Sequence, residues 1–159
     1  MRAVVVTVSD RVAAGVAEDG SGPAAAERLA RYGFADAAVR VVPDGVESVK
    51  AILEDLLDEH DLIVTTGGTG FSPRDLTPEA TRLVIDREAP GLAEAMRAYT
   101  FGKFPHGMLA RGVSGIAGST LIVNLPGSVK AVEESIDVIG PALSHAIELL
   151  TEGQSDHNT

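Results

Sequence analysis

Cysteine is absent from the 159-residue chain, and so is tryptophan. No disulfide can brace the fold, no thiolate can ligate a metal, and no thiol nucleophile is available. This composition suits a reducing cytoplasm. Aromatic residues make up only 4% of the chain, whereas hydrophobic residues make up 45%. The core must therefore be built from Val, Ile, Leu and Ala, as in a buried parallel sheet covered by helices. Basic residues are scarce: 13 Lys and Arg stand against 23 Asp and Glu, a formal net charge of −10. With no basic run, nucleic-acid binding through phosphate neutralisation is disfavoured. No apolar run is long enough to span a membrane, and Ala3-Val4-Val5-Val6 is too short for a signal-peptide core. His60, His106, His145 and His157 show no metal-ligand spacing, which argues against a zinc site. No Gly-x-Ser-x-Gly elbow marks a serine hydrolase.

What is present is an alternation of apolar runs and amphipathic stretches. Ala3 to Val8 reads as a buried first strand, followed by a helix opening near Pro23 and stopping at Gly33. Val39 to Val42 is a second strand. Val49, Ile52, Leu53, Leu56 and Leu57 then recur at helical spacing, in a helix running to about His60. Leu62 to Thr65 is a third strand, and Thr77-Pro78-Glu79 looks like a helix start capped by Thr77. Leu92, Ala95, Met96 and Tyr99 suggest another helix. Phe101 to Gly107 is irregular and reads as a surface excursion, a mobile loop or an interface. Met108 to Ile116 and Thr120 to Asn124 suggest an antiparallel hairpin, and a last helix carries Val129, Val132, Ile136 and Ile139. Gly140-Pro141 is expected to break or kink it. The order predicts an α/β fold: three layers, doubly wound, a mostly parallel sheet with an antiparallel hairpin in the C-terminal half. Residues 1–150 read as one domain, and 151–159 as a polar, frayed tail.

Four strand ends carry polar or glycine-rich turns: Ser9-Asp10, Asp44-Gly45, Gly67-Gly68-Thr69-Gly70, and Pro126-Gly127-Ser128. In a parallel sheet these ends share one edge, where ligands bind. The glycine loop is neither a dinucleotide fingerprint, because Pro73 stands where glycine is required, nor a Walker A loop, which needs Gly-Lys-Ser/Thr. It reads either as a tight strand-to-helix turn or as a phosphate cradle. Asp44 reads either as part of a capping box with Glu47 or as a carboxylate holding a cation. Asp75 reads either as a turn aspartate bonding the backbone at Thr77 or as a carboxylate beside the phosphate loop and Arg74. Two carboxylates at one anion site point to Mg²⁺. Ser128 fits a helix N-cap or an anion contact. Ser9 and Ser72 fit turn hydroxyls or ligands.

Taken in order, Thr7-Val8-Ser9-Asp10, Asp19-Gly20-Ser21-Gly22, Pro43-Asp44, Thr66-Gly67-Gly68-Thr69-Gly70, Arg74-Asp75-x-Thr77-Pro78-Glu79-Ala80, Gly115-Ile116-Ala117-Gly118 and Asn124-Leu125-Pro126-Gly127-Ser128 resemble one family. It is the molybdopterin-binding family of molybdenum cofactor biosynthesis, which includes molybdopterin adenylyltransferases and the N-terminal domain of gephyrin. The resemblance extends to about Leu150. It implies a cytoplasmic, homotrimeric enzyme that joins molybdopterin to AMP from ATP with Mg²⁺ and releases pyrophosphate. It places the two functional aspartates on Asp44 and Asp75, which would hold the Mg²⁺. It places the pterin and phosphate pocket on Gly67 to Gly70, Ser72 and Pro126-Gly127-Ser128. Ser9 and Arg74 are further candidates for substrate contact. The partners implied are small molecules and, beyond them, other proteins of molybdenum cofactor biosynthesis. Leu109-Ala110-Arg111 stands where family members commonly carry Leu-Ser-Arg, so one hydroxyl that could face the pterin is missing while Arg111 remains. A pterin-binding module without adenylylation and a trimeric scaffold are the alternatives.

Overall fold

The computed structural model describes residues 1–155. Four neighbouring strands run parallel: β1 (Ala3–Val8), β2 (Ala38–Val42), β3 (Leu62–Thr66) and β6 (Thr120–Leu125). Two short strands, β4 (Arg87–Glu88) and β5 (Ser114–Ala117), extend the sheet antiparallel beside β6, giving the order β2-β1-β3-β6-β5-β4. The expected hairpin is present, but its first strand is shorter than the sequence suggests. Pro105–Leu109 instead forms a 3-10 turn, where Pro105 opens the turn without needing a backbone donor.

The helices are α1 (Asp10–Ala13), α2 (Ser21–Ala30), α3 (Val46–Leu56), α4 (Thr77–Val84), α5 (Pro90–Thr100) and α6 (Val129–Ser155). Alternate residues of the central strands point to opposite faces. Val5, Leu62, Val64, Leu121 and Val123 pack with α2, α5 and α6. Val4, Val6, Ile63 and Ile122 pack with α3 and α4. This double burial is why the central strands read as unbroken apolar runs. At one edge β2 is largely exposed, which accounts for Arg40 within it.

Two local expectations are corrected. Thr77 does not cap α4. It is the first helical residue, and its hydroxyl donates to Gly67 O at 3.0 Å. Gly140-Pro141 does not end α6, which continues to Ser155. Pro141 removes one backbone donor, and Gly140 leaves space for the Tyr32 ring, which would lie 2.6 Å from an added Cβ. Of the expected polar, frayed tail at 151–159, residues 151–155 are the last of α6 and residues 156–159 lie outside the described residues. Among the described residues no helix is long and apolar enough to cross a membrane.

One buried polar side chain links the core to the sheet edge. Asn124, 1% exposed, donates through Nδ2 to Thr65 Oγ1 at 3.0 Å and Thr81 Oγ1 at 2.9 Å. Its Oδ1 accepts from Val113 N at 3.1 Å. Asn124 thereby ties β6 to β3, to α4 and to the segment entering β5. Asn124→Ala is expected to lower stability by about 2–4 kcal/mol, because it strands the Val113 N–H and the Thr65 hydroxyl and removes a donor from Thr81, whose hydroxyl keeps its bond to Thr77 O. A urea midpoint measured with unchanged slope is the check. A loss below about 0.5 kcal/mol, the range of an ordinary surface substitution, would show that the network is dispensable.

Candidate functional site

The C-terminal ends of β1, β2, β3 and β6 lie along one edge, and the polar turns that follow them gather there. Gly67 leaves β3 at φ +87 and Gly68 follows at φ +64. Gly67 N donates to Leu125 O at 3.2 Å, and Thr77 N donates to Gly68 O at 3.1 Å. The loop is thus pinned to the end of β6 on one side and to the start of α4 on the other. Opposite it stands the N-terminus of α6, where Ser128 Oγ accepts from Ala131 N at 3.3 Å. The two turns nearly touch, since a Cβ on Gly127 would lie 3.3 Å from Gly67 Cα.

Between them opens a cavity of about 550 Å³, a size suited to a small organic ligand. Its polar wall is Gly67 to Gly70, Asp75, Asn124 and Pro126 to Ser128. Its apolar wall comes from α5 and the following turn, including Met96, Tyr99, Phe104 and Leu109. Arg97 and Lys130 are basic residues along its lining. The N–H groups of Gly68, Thr69, Gly70 and Phe71 donate to no group among the described residues. Four successive unpaired donors beside a helix N-terminus form a cradle for an anion. A second cavity, of about 390 Å³, shares Gly67, Gly127 and Ser128 with the first and extends to Ser9, Asp19 and Ser21. There Asp19 accepts from Thr7 Oγ1 at 2.7 Å and from Gly22 N at 2.9 Å, holding the start of α2.

The candidate residues separate into three groups. Gly67, Gly68, Thr69, Gly70, Asp75, Pro126, Gly127 and Ser128 line the first cavity together. Ser9 lines the second and caps α1, its hydroxyl accepting from Val12 N at 3.3 Å. Ser72, Arg74 and Asp44 line neither. Ser72 is exposed and closes a turn with Asp75: Ser72 N donates to Asp75 Oδ2 at 3.0 Å, and Asp75 N donates to Ser72 O at 2.9 Å. The Asp75 carboxylate therefore bonds back to Ser72 and not forward to Thr77. Arg74 pairs with Asp10, Nε to Oδ2 at 2.5 Å and Nη2 to Oδ1 at 3.1 Å, and it also donates to Asp44 O at 2.7 Å. It is turned toward β1 and β2 and away from Asp75's carboxylate.

Asp44 is not the cap of α3, whose N-cap is Gly45 at φ +119. Its Oδ2 instead accepts from Asp10 N at 2.8 Å, and Asp10 Oδ1 accepts from Asp44 N at 3.1 Å. Its Oδ1 would lie 3.2 Å from a Cβ on Gly68, so the carboxylate rests against the glycine loop. Asp75 does the same at Gly70, where its Oδ2 would lie 2.9 Å from an added Cβ. Each carboxylate has one oxygen tied to a backbone N–H and the other without a donor among the described residues. Among the described residues no group of three or more His, Asp and Glu is placed to hold a metal ion unaided.

The arginines beside the loop are neutralised locally. The hydrogen bond from Arg74 holds the Asp10 carboxyl below the usual range, and the hydrogen bond from Arg111 does the same for Glu79. Sequence reasoning passed over Asn124, Arg97 and Lys130, and it left Phe104 and His106 in an irregular excursion. An aromatic-bearing loop between a helix and the closing strands was the available signal.

The same residues fall within a known family. Residues 4–145 match the family described as "Probable molybdopterin binding domain". The chain is 40% identical to gephyrin of Dictyostelium discoideum over 92% of its own length and 22% of that protein. It thus spans about a quarter of the length of the first curated relatives it matches. It is 38% identical to the molybdopterin adenylyltransferase of Helicobacter pylori strain J99, over 92% of this chain and 85% of that one. The crystal structure of the molybdopterin biosynthesis enzyme MoaB from Thermus thermophilus superposes with a TM-score of 0.89 at 47% identity, covering 95% of this chain and 96% of that one. The matched stretch contains every residue that lines either cavity, and on that footing the chain belongs to the molybdopterin binding domain family.

Proposed function

We propose that the protein is a molybdopterin adenylyltransferase of molybdenum cofactor biosynthesis. In this reading the terminal phosphate of molybdopterin attacks the α-phosphorus of ATP. A new P–O bond forms, the bond to the β-phosphate breaks, and pyrophosphate leaves. The observation that carries the reading is the run of four backbone N–H groups from Gly68 to Phe71, unpaired among the described residues and set against the N-terminus of α6. In a chain of net charge −10, an anionic substrate needs such local donors to overcome the overall field. The adjacent apolar wall suits the flat ring system of a pterin.

The carboxylates fit a Mg²⁺ ion. Asp44 and Asp75 each present one oxygen without a donor among the described residues, and this ion is commonly held by one or two carboxylates together with substrate phosphates and water. Mg²⁺, when bound, neutralises the polyphosphate and the departing pyrophosphate. The chain's own part is to hold and orient. The loop N–H groups would fix phosphate oxygens, Asp44 and Asp75 would hold the cation, and Tyr99 and Phe104 offer apolar surface along the cavity wall. No side-chain nucleophile is required. Two further properties follow from the family resemblance: the chain acts in the cytoplasm and as a homotrimer. Exposed Phe101, at 75%, and Met108, at 65%, offer apolar surface for a subunit contact.

Incubating the purified protein with molybdopterin and Mg-ATP tests the reading. Adenylylated pterin and pyrophosphate are expected in equal amounts. Pterin binding without pyrophosphate release would make the chain a carrier. A stable trimer that binds neither ligand would make it a scaffold.

A further inference from the structure

We infer that Arg111 is a positioning residue that sets the aim of the glycine loop. The inference rests on the adenylyltransferase reading for its kinetic consequence, though not for its structural one. Arg111 is the residue before Gly112 on the way into β5, and it lines neither cavity. Every nitrogen of its guanidinium is engaged. Nε donates to Gly70 O at 2.8 Å, Nη2 donates to Asp75 O at 2.5 Å, and Nη1 donates to Glu79 Oε1 at 2.5 Å. Nη2 also reaches Glu79 Oε2 at 3.3 Å. The backbone N of the same residue donates to Thr69 O at 2.9 Å. One residue therefore takes three carbonyls of the 69–75 segment, and Glu79 fixes the plane of its guanidinium.

The geometry of the peptide group turns this into a function. In a trans peptide the N–H of the next residue points opposite to the carbonyl. Holding Thr69 O and Gly70 O toward Arg111 points the N–H groups of Gly70 and Phe71 away from it. These are two of the four unpaired donors of the loop. The bond to Asp75 O likewise anchors the backbone that carries the Asp75 carboxylate. Arg111 thus orients donors and a carboxylate without touching a ligand. Lysine cannot replace it, because a single ammonium cannot span acceptors that lie along three edges of a planar fork.

The test compares wild type with Arg111→Lys and Glu79→Gln by amide hydrogen exchange and by AMP-transfer kinetics. In Arg111→Lys, exchange across residues 67–77 is expected to rise about tenfold or more while β1, β3 and β6 keep wild-type rates, the pattern of local opening. The value of kcat is expected to fall about a hundredfold, the loss typical of misplaced reacting groups. KM is expected to stay within about threefold, because no substrate contact is removed. Glu79→Gln keeps the bonds to the loop carbonyls and is expected to loosen the same segment less. Unchanged loop exchange in Arg111→Lys, or faster exchange spread over the sheet, overturns the inference. A rise in KM at constant kcat overturns it too, by making Arg111 a substrate contact. If wild type releases no pyrophosphate but Arg111→Lys still loosens only the loop, the adenylyltransferase reading fails and the positioning role stands.

Discussion

Asp75→Asn and Asp44→Asn are each expected to slow AMP transfer by about a hundredfold or more, the scale of losing one preorganised electrostatic contact to the transition state. Neither is expected to unfold the protein. Asparagine keeps an acceptor oxygen in the same place, so the Ser72 N–H at Asp75 and the Asp10 N–H at Asp44 keep their partners. What disappears is the negative charge beside the loop and, with it, the hold on Mg²⁺. Titrating Mg²⁺ in the pyrophosphate-release assay separates the roles. A carboxylate that holds the ion raises the Mg²⁺ requirement when it is neutralised, whereas a purely structural one leaves that requirement unchanged. Full turnover in both variants at ordinary Mg²⁺ would remove the carboxylates from the chemistry.

Gly67→Ala is expected to be the most damaging small substitution in the site. Its backbone sits at φ +87, and an added Cβ would meet Val8 O at 2.4 Å. That oxygen belongs to the backbone of β1 and cannot rotate away. The left-handed conformation costs an L-residue about 1–2 kcal/mol, and overpacking adds about 1–3 kcal/mol, for a total of about 2–5 kcal/mol. For a chain of this size that corresponds to a fall in Tm of roughly 10 °C. With no tryptophan to report unfolding, far-ultraviolet circular dichroism is the suitable probe. Gly91→Ala is the matched control: nothing lies within 4 Å of its added Cβ, and its φ is not positive. Alanine there is expected to be neutral or slightly stabilising. Equal melting of the two variants would show that the approach of Gly67 to β1 is not needed for stability.

The contrast between these positions indicates what a sequence carries openly. β1, β3 and β6 were legible because burial on both faces forces continuous apolar runs, and such runs read as strands. The edge was legible as a meeting place of turns because parallel strands place their C-terminal ends together. The glycine loop and the Pro126 turn do meet there, around one cavity. Hydrogen-bond partners were not legible. Arg74 is adjacent to Asp75 in sequence yet forks Asp10, 64 positions away. Asp44 has the spacing of a capping box with Glu47 yet bonds the start of α1, a four-residue helix with no buried residue and hence no periodic signal. Thr77 carries the residue type of a cap yet turns its hydroxyl to Gly67. In each case a local partner competes with a more distant one, and only tertiary packing decides between them. The cavity's apolar wall was hidden for a related reason. Phe104 and Leu109 sit in a segment without helix or strand period, so nothing in the pattern says which way they face.

The placement of β3 between β1 and β6 has a consequence for how the site comes into being. The loop after β3 is complete in sequence by residue 75, but its conformational determinants are not. Gly67 is held by Leu125, Thr69 to Asp75 by Arg111, and the facing helix N-terminus begins at Ser128. A chain being synthesised passes through roughly fifty further residues before the last of these exists. A fragment ending between Asp75 and Arg111 therefore contains the glycine motif without any of these three contacts, and one ending between Arg111 and Leu125 still lacks those of Leu125 and the helix. Ligand binding at this edge can thus report that the C-terminal half has docked.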